Sequence, residues 1–183
     1  MQSLSGMLLA ASPRLADPNF ARSVILIVQH GEEGAFGVVL NKPSANRVAD
    51  VWRHVGGGAT SLDRPVYVGG PVDGPLLAVH AEADLSEREI LPGVHFASQR
   101  GALERLIEDA REPVIVLAGY SGWGEGQLEN ELREGAWLVA PGSAERVFYG
   151  GEDHWKHVVG QVGGEVIHAR GDIRHVPPAP WHN

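Results

Sequence analysis

Residues 23–30, SVILIVQH, are apolar and β-branched almost without interruption, and a second apolar run from Ala35 to Leu40 follows a Glu-Gly turn. This pattern predicts a hairpin at the centre of a sheet. The N-terminal stretch, Met1 to Ala11, has small and apolar residues but neither the positive n-region nor the full h-region of a signal peptide, so it reads as a strand. In SANRVADVWRHVGGG, Val48, Val51, Trp52 and Val55 fall at helical spacing, with Ser44 or Asn46 as the expected cap and three glycines as the stop.

Two short strands are expected at 65–69 and 75–82, joined by the tight turn Gly70-Pro71-Val72-Asp73-Gly74. GVHFAS reads as another strand. Ser98 is the expected cap of a helix whose buried stripe is Leu103, Leu106, Ile107 and Ala110. PVIVLAG is a continuous apolar run of the kind found in a strand covered on both faces. A glycine loop, Tyr120 to Gly126, then leads into the helix QLENELREG, with Leu128 and Leu132 inward and Glu129 in register with Arg133. A strand GAWLVAP, a short helix from Ser143 and a helix in DHWKHVVGQVGG, with Trp155, Val158, Val159 and Val162 on one face, complete the pattern. From about Gly164 to Asn183 no period remains, and Pro177, Pro178 and Pro180 mark a partly ordered tail. Hairpins and β-helix-β units both occur, so the expectation is one α+β domain over 1–163 with a mixed sheet, followed by the tail 164–183.

Composition narrows the function classes. The 183 residues contain no cysteine, which excludes disulfide scaffolds and Cys-based zinc modules. With 43% hydrophobic and 21% charged residues, the chain can build a conventional core. The net charge of -8, with only Lys42 and Lys156 as lysines and the arginines scattered, supplies no basic footprint. Direct nucleic-acid binding is therefore not expected. No apolar run reaches the roughly 18 to 20 residues of a membrane helix, so a cytoplasmic protein without membrane contact is the expectation.

The segment Gly119-Tyr120-Ser121-Gly122-Trp123-Gly124-Glu125-Gly126 carries the most chemical information. Its glycines permit sharp turns and close backbone approach at a helix start. An anion could sit there, but Glu125 opposes it and no Lys-Ser/Thr pair follows. Ser121 is a near miss to the hydrolase elbow G-x-S-x-G, with His80 or His95 as the base it would need. Alternatively, Tyr120 and Trp123 are held half-exposed as contacts for a ligand or partner, against the plain alternative that Trp123 fills the core. His154 and His157 have the i, i+3 spacing of a shared metal site but lack further ligands, and a solvated helix face is favoured. Glu32-Glu33 and Glu129-Glu131 read as surface charge, and Asn41-Lys42-Pro43 as a turn first and a site second. No cofactor or metal is expected.

The segments LSGMLLAASPRLADPNFARSVILIVQHGEEGAFGVVLNKP, PVYVGGPV and GYSGWGEGQLENELREGAWLVAP, in this order and spacing, resemble the YqgE/AlgH family of small bacterial proteins. The signature G-Y-x-G-W-G-x-G-Q-L-E-x-E-L is specific, and the resemblance covers about Leu4 to Gly160. It implies an α+β fold in which a bifurcated sheet forms a small barrel surrounded by helices. It brings a label of transcriptional regulator but no catalytic residue, cofactor or metal. The matching positions are Asn41, Pro43, Gly69, Gly70, Pro71, Tyr120, Gly122, Trp123, Gly124, Gly126, Gln127, Glu129 and Glu131, with Trp155 near the end. The expectation is a non-enzymatic binding protein for an unknown small molecule or protein. Its site would be built from Tyr120 to Gln127, Ser121 and Glu131 included, beside the turns Asn41–Pro43 and Gly69–Pro71. The alternatives are a hydrolase using Ser121 and a direct DNA binder.

Overall fold

The computed structural model describes residues 3–151 and 153–169, the stretch 163–169 as backbone only. Ten strands form one curled sheet: β1 (Met7–Ala11), β2 (Val24–Gly31), β3 (Gly34–Val39), β4 (Pro43–Arg47), β5 (Pro65–Val68), β6 (Val72–His80), β7 (Arg88–Leu91), β8 (Val94–Ala97), β9 (Val114–Trp123) and β10 (Trp137–Pro141). The helices are α1 (Val48–His54), α2 (Arg100–Glu108), α3 (Gln127–Arg133), α4 (Ala144–Phe148) and α5 (His154–Ala169). The strand order is β10-β1-β2-β3-β9-β6-β8-β7, with β4 and β5 branching off β9. All pairings are antiparallel except β5 with β9. This is a single-domain mixed α+β architecture with a half-barrel sheet.

The branch lies in β9, which serves two sheets in succession. Its first half pairs with β5 (Tyr67↔Leu117) and β6 (Val79↔Ile115), and its second half pairs with β3 (Phe36↔Gly122). The strand changes partners around Gly119, whose φ of 74° is open to glycine and strained for other residues.

Alternation along the strands separates the cores. On β1 and β2, Leu8, Ala10, Leu26 and Val28 face one cluster, while Leu9, Ala11, Ile25 and Ile27 face another. The first cluster fills the half-barrel and is closed by Val147 of α4 and Val158 of α5. The second lies under α3 with Trp123, Leu128 and Trp137, and a third packs α1 and α2 through Trp52, Leu103, Leu106 and Ile107. Burial of β2 on both faces explains its unbroken apolar run. Trp155 fixes α5 to the sheet by donating its indole N–H to the Ala11 carbonyl at 2.8 Å.

Several boundaries depart from the sequence pattern. Residues 43–47 form β4 rather than a helix start, so α1 begins at Val48 with Arg47 as N-cap and neither Ser44 nor Asn46 caps it. Ser98 does not cap α2. Instead Glu87 reaches across to accept from the Ser98 and Gln99 N–H groups at 2.7 and 2.6 Å. β7 was not anticipated, and β6 begins at Val72 inside the expected turn. α5 continues through Gly163 and Gly164 to Ala169, into the stretch read as tail. The remainder of that tail, including the three prolines, lies outside the described residues.

Candidate functional site

The glycine segment is mostly strand. Tyr120, Ser121, Gly122 and Trp123 belong to β9, and only Gly124–Gly126 form a connection, with Gly126 as the left-handed N-cap of α3 (φ 68°). Pairing with β3 and β6 buries every second side chain, which decides the fate of the candidate residues. Trp123 is 6% exposed and sits with Phe20 and Trp137 in an aromatic cluster, ring centroids 6.5 and 6.2 Å away. Of the two readings of Trp123, a half-exposed contact or a core filler, the structure shows the core filler. Tyr120 is half-buried and packs on Phe36 at 5.2 Å, and Gly122 and Gly124 are exposed.

A carboxylate organises this segment. Glu131 Oε2 accepts the indole N–H of Trp123 at 2.9 Å and that of Trp137 at 2.8 Å. Its Oε1 accepts from Gln127 Nε2 at 3.0 Å, and Gln127 Oε1 accepts the Gly124 N–H at 3.1 Å. Two residues earlier on α3, Glu129 accepts from His30 Nε2 at 2.7 Å, because His30 Nδ1 is engaged by the Leu4 N–H at 3.1 Å. The reading of Glu129 and Glu131 as surface charge is thus corrected. Glu129 ties α3 to His30 at the end of β2, Glu131 ties it to two indoles, and Arg133 bonds Asn130 instead of Glu129.

The three expected neighbours do converge. Val68 N–H donates to the Lys42 carbonyl at 2.8 Å, and Val39 N–H donates to the Gly69 carbonyl at 2.8 Å. Gly69 N–H donates to the Ala118 carbonyl at 2.9 Å, and Ser121 Oγ donates to the Gly69 carbonyl at 3.3 Å. The backbones touch so closely that a Cβ on Gly70 would lie 2.2 Å from the Tyr120 carbonyl. Pro71 is exposed at the rim. Asn41 bridges β2 and β3, accepting from Val24 N at 2.8 Å and donating to the Arg22 carbonyl at 2.9 Å.

Ser121 is fully buried, and no histidine is among its hydrogen-bond partners. His95 Nδ1 instead pairs with Ser86 Oγ at 3.0 Å, and its ring lies 5.9 Å from that of the fully buried His80. Burial and the neighbouring His95 push His80 down to about 4, against the pull of Asp84 and Glu87. Among the described residues, the contact that a Ser121 hydrolase requires is not made.

The larger concavity lies elsewhere. A cleft of about 740 Å³ runs between β4, β5 and the start of β9 on one side and the α4–α5 connection on the other. Asn41, Pro43, Pro65, Tyr67, Pro113 and Tyr149 are in its walls, and the Arg64–Glu112 ion pair stands at 2.5 Å along it. Of the residues expected in the binding site, Asn41 and Pro43 line it. His154, the first residue of α5, lines both this cleft and a smaller neighbour of about 440 Å³. Only 3% of it is exposed, which corrects the expected solvated face, while His157 is exposed. Burial lowers its pKa, and Nε2 has no hydrogen-bond partner among the described residues. The apolar period of α5 gave no sign of this, because His154 precedes the Trp155–Val162 stripe and is buried by the Gly150 loop. Among the described residues no group of three or more His, Asp or Glu side chains could hold a metal ion. Nor, among these residues, is any helix long and apolar enough to cross a membrane.

A half-barrel sheet with its signature segment fixed by a Trp–Glu–Trp contact places the chain among small α+β domains rather than helix-turn-helix readers. The chain belongs to the AlgH-like family, whose model matches residues 8–167. A UPF0301 protein of Xanthomonas campestris pv. campestris is 39% identical over 172 residues, covering 90% of this chain and 92% of that one. A Chlorobaculum tepidum UPF0301 protein is 38% identical over 185 residues, covering 97% and 95%. The solution structure of AlgH from Pseudomonas aeruginosa superposes with a TM-score of 0.75 at 28% identity over 96% of this chain and 97% of that one. A crystal structure from Corynebacterium diphtheriae gives 0.69, also at 28% identity, over 95% and 90%.

Proposed function

We propose that this is a non-enzymatic binding protein whose ligand sits in the cleft between the β4–β5 branch and the α4–α5 connection. In this reading the glycine and tryptophan signature is the frame that holds the branch open rather than the contact surface. The observation that carries it is the convergence of the Asn41–Pro43 and Gly69–Pro71 turns on Ser121 and Gly119, which fixes one wall of the cleft through backbone contacts. Concave sites with flat apolar walls and a few polar groups are where small ligands bind. Tyr67, Phe148, Tyr149 and three prolines supply such walls here. Any regulatory role would then run through this contact, since a chain of net charge -8 offers little to phosphates.

A thermal-shift screen of small molecules on the wild type and on Tyr149→Ala tests the proposal. Tyr149 is 73% exposed, so its removal leaves the fold intact. A ligand at about 100 times its Kd adds roughly 2.7 kcal/mol of stability. The expected result is a shift in the wild type that is lost in Tyr149→Ala. A shift that persists in Tyr149→Ala and disappears in Gln127→Ala would move the site to the signature segment.

A further inference from the structure

Two buried histidines away from the cleft have no part in the proposed function. His80 ends β6 and His95 lies opposite it on β8, with ring centroids 5.9 Å apart. Each stands two residues from an alanine of the α2 core, Ala78 or Ala97, so both rings share the face that α2 covers. Both are engaged by the connection that leaves β6, a 3-10 turn (Ala83–Leu85) followed by β7. The Glu82 N–H donates to His80 Nδ1 at 3.2 Å, and Ser86 Oγ pairs with His95 Nδ1 at 3.0 Å. An accepting Nδ1 places the His80 proton on Nε2, which is buried without a hydrogen-bond partner among the described residues. The connection has little else to hold it. Leu85 is its one buried residue between Glu82 and Glu87, and the Asp84–Arg105 and Glu82–Arg111 ion pairs are half-exposed, where such pairs contribute little.

Protonation changes what these contacts can do. A second proton on His80 turns Nδ1 from acceptor to donor against the Glu82 N–H, and a charged His95 adds a like charge 5.9 Å away. The other charged groups around the pair are Asp84 of the turn, Glu82 and Glu87 of the connection, Arg105 and Arg111 that pair with Asp84 and Glu82, and Glu89 of β7, which stands opposite His95. Burial and His95 hold His80 down at about 4, against the pull of Asp84 and Glu87. Desolvation pushes Glu87 up, but the Gln99 and Ser98 N–H groups hold it below its ordinary value, so the carboxylate keeps its bonds to both as the pH falls from about 7 to 5. We propose that His80 and His95 form an acid-operated clasp: neutral, they hold the connection from Glu82 to Ser86 on the sheet, and protonation of His80 releases it as a local unit that pivots at Glu87. The clasp stands independently of the cleft.

Amide exchange of the full chain, followed by NMR, reads the release. In the open connection His80 titrates near its ordinary value of about 6.5 instead of about 4, so opening takes up a proton and is favoured as the pH falls. Opening at the Glu82, Leu85 and Ser86 amides, corrected for intrinsic exchange, is expected to rise about twentyfold between about pH 7 and 5. These amides should exchange faster than that of Leu40, which bonds the Val24 carbonyl in the core, and should respond little to low urea, because a local opening exposes little surface. In His80→Asn, whose Oδ1 keeps an acceptor for the Glu82 N–H but does not titrate, the rise is lost. A flat pH profile at the three amides of the wild type would overturn the proposal, whatever the variant does. Exchange that matches Leu40 in rate and urea dependence would also overturn it, by making the opening part of global unfolding. So would imidazole 15N shifts of the wild type that place the His80 proton on Nδ1 at neutral pH, since the contact to Glu82 would then be absent. A rise that persists in His80→Asn would assign the proton to another group and refute the role of His80.

Discussion

Glu131 accepts two indole N–H groups on a single oxygen, and the indoles belong to β9 and β10, on either side of α3. Removing that carboxylate leaves two buried donors unpaired, each at a cost of about 1 to 3 kcal/mol. Glu131→Ala should therefore destabilise the protein by about 2 to 4 kcal/mol in urea denaturation, while Glu131→Gln, which keeps an acceptor oxygen, should lose less. An equal loss in both would show that helix packing rather than acceptance is what matters. His80 gives a second prediction at this scale, with a defined sign. Its proton is taken up at about 4 in the folded protein and near 6.5 when unfolded. The stability from keeping it neutral is full above pH 6.5 and is lost as pH falls towards 4. Between pH 7.5 and 5 the wild type should lose at most about 2 kcal/mol more than His80→Leu. Parallel pH profiles for the two proteins would contradict the assignment.

At the scale of elements, the strands with unbroken or alternating apolar pattern were legible in the sequence, as were α2 and the apolar face of α5. The elements that were not legible owe their form to pairing rather than to local pattern. β4 has no buried side chain, and GYSGWGEG resembles a loop because Gly119, Gly122 and Gly124 dilute its alternation. The partners β3 and β6, far away in sequence, make it a strand. The cap of α2 was equally invisible, since Glu87 is supplied by the connection before β7 and not by Ser98. Glu87 accordingly has a lowered pKa: some desolvation pushes it up, and the Gln99 and Ser98 N–H groups hold it down. Glu87→Ala should cost about 1 kcal/mol, as loss of a helix cap does, and Ser98→Ala should cost less. A larger loss for Ser98→Ala would restore the cap to Ser98. The family resemblance marked Gly69 and Gly70 without a reason that the sequence could show: a side chain at either would strike the Gly119–Tyr120 backbone.

For the whole molecule, β9 joins the two parts of the sheet, and the cleft opens where β5 branches from its first half. Gly70→Ala would push a methyl group to within 2.2 Å of the Tyr120 carbonyl, so β9 and the turn must separate. The branch should loosen as a unit, read as faster amide exchange at Val39, Val68 and Gly69, whose N–H groups bond across it. Unchanged exchange there would mean that the turn adapts alone. In the proposed function the signature segment frames the sheet and a ligand occupies the cleft. The most direct measurement is an NMR titration of the labelled protein with a small molecule that stabilises it in the thermal-shift screen, following every assigned amide. Shifts are predicted at Tyr67, Ile115, Tyr149, Gly150, Gly151 and His154, with Gly122 to Gln127 unmoved. Shifts centred on Gly122 to Gln127, with the cleft residues silent, would contradict it.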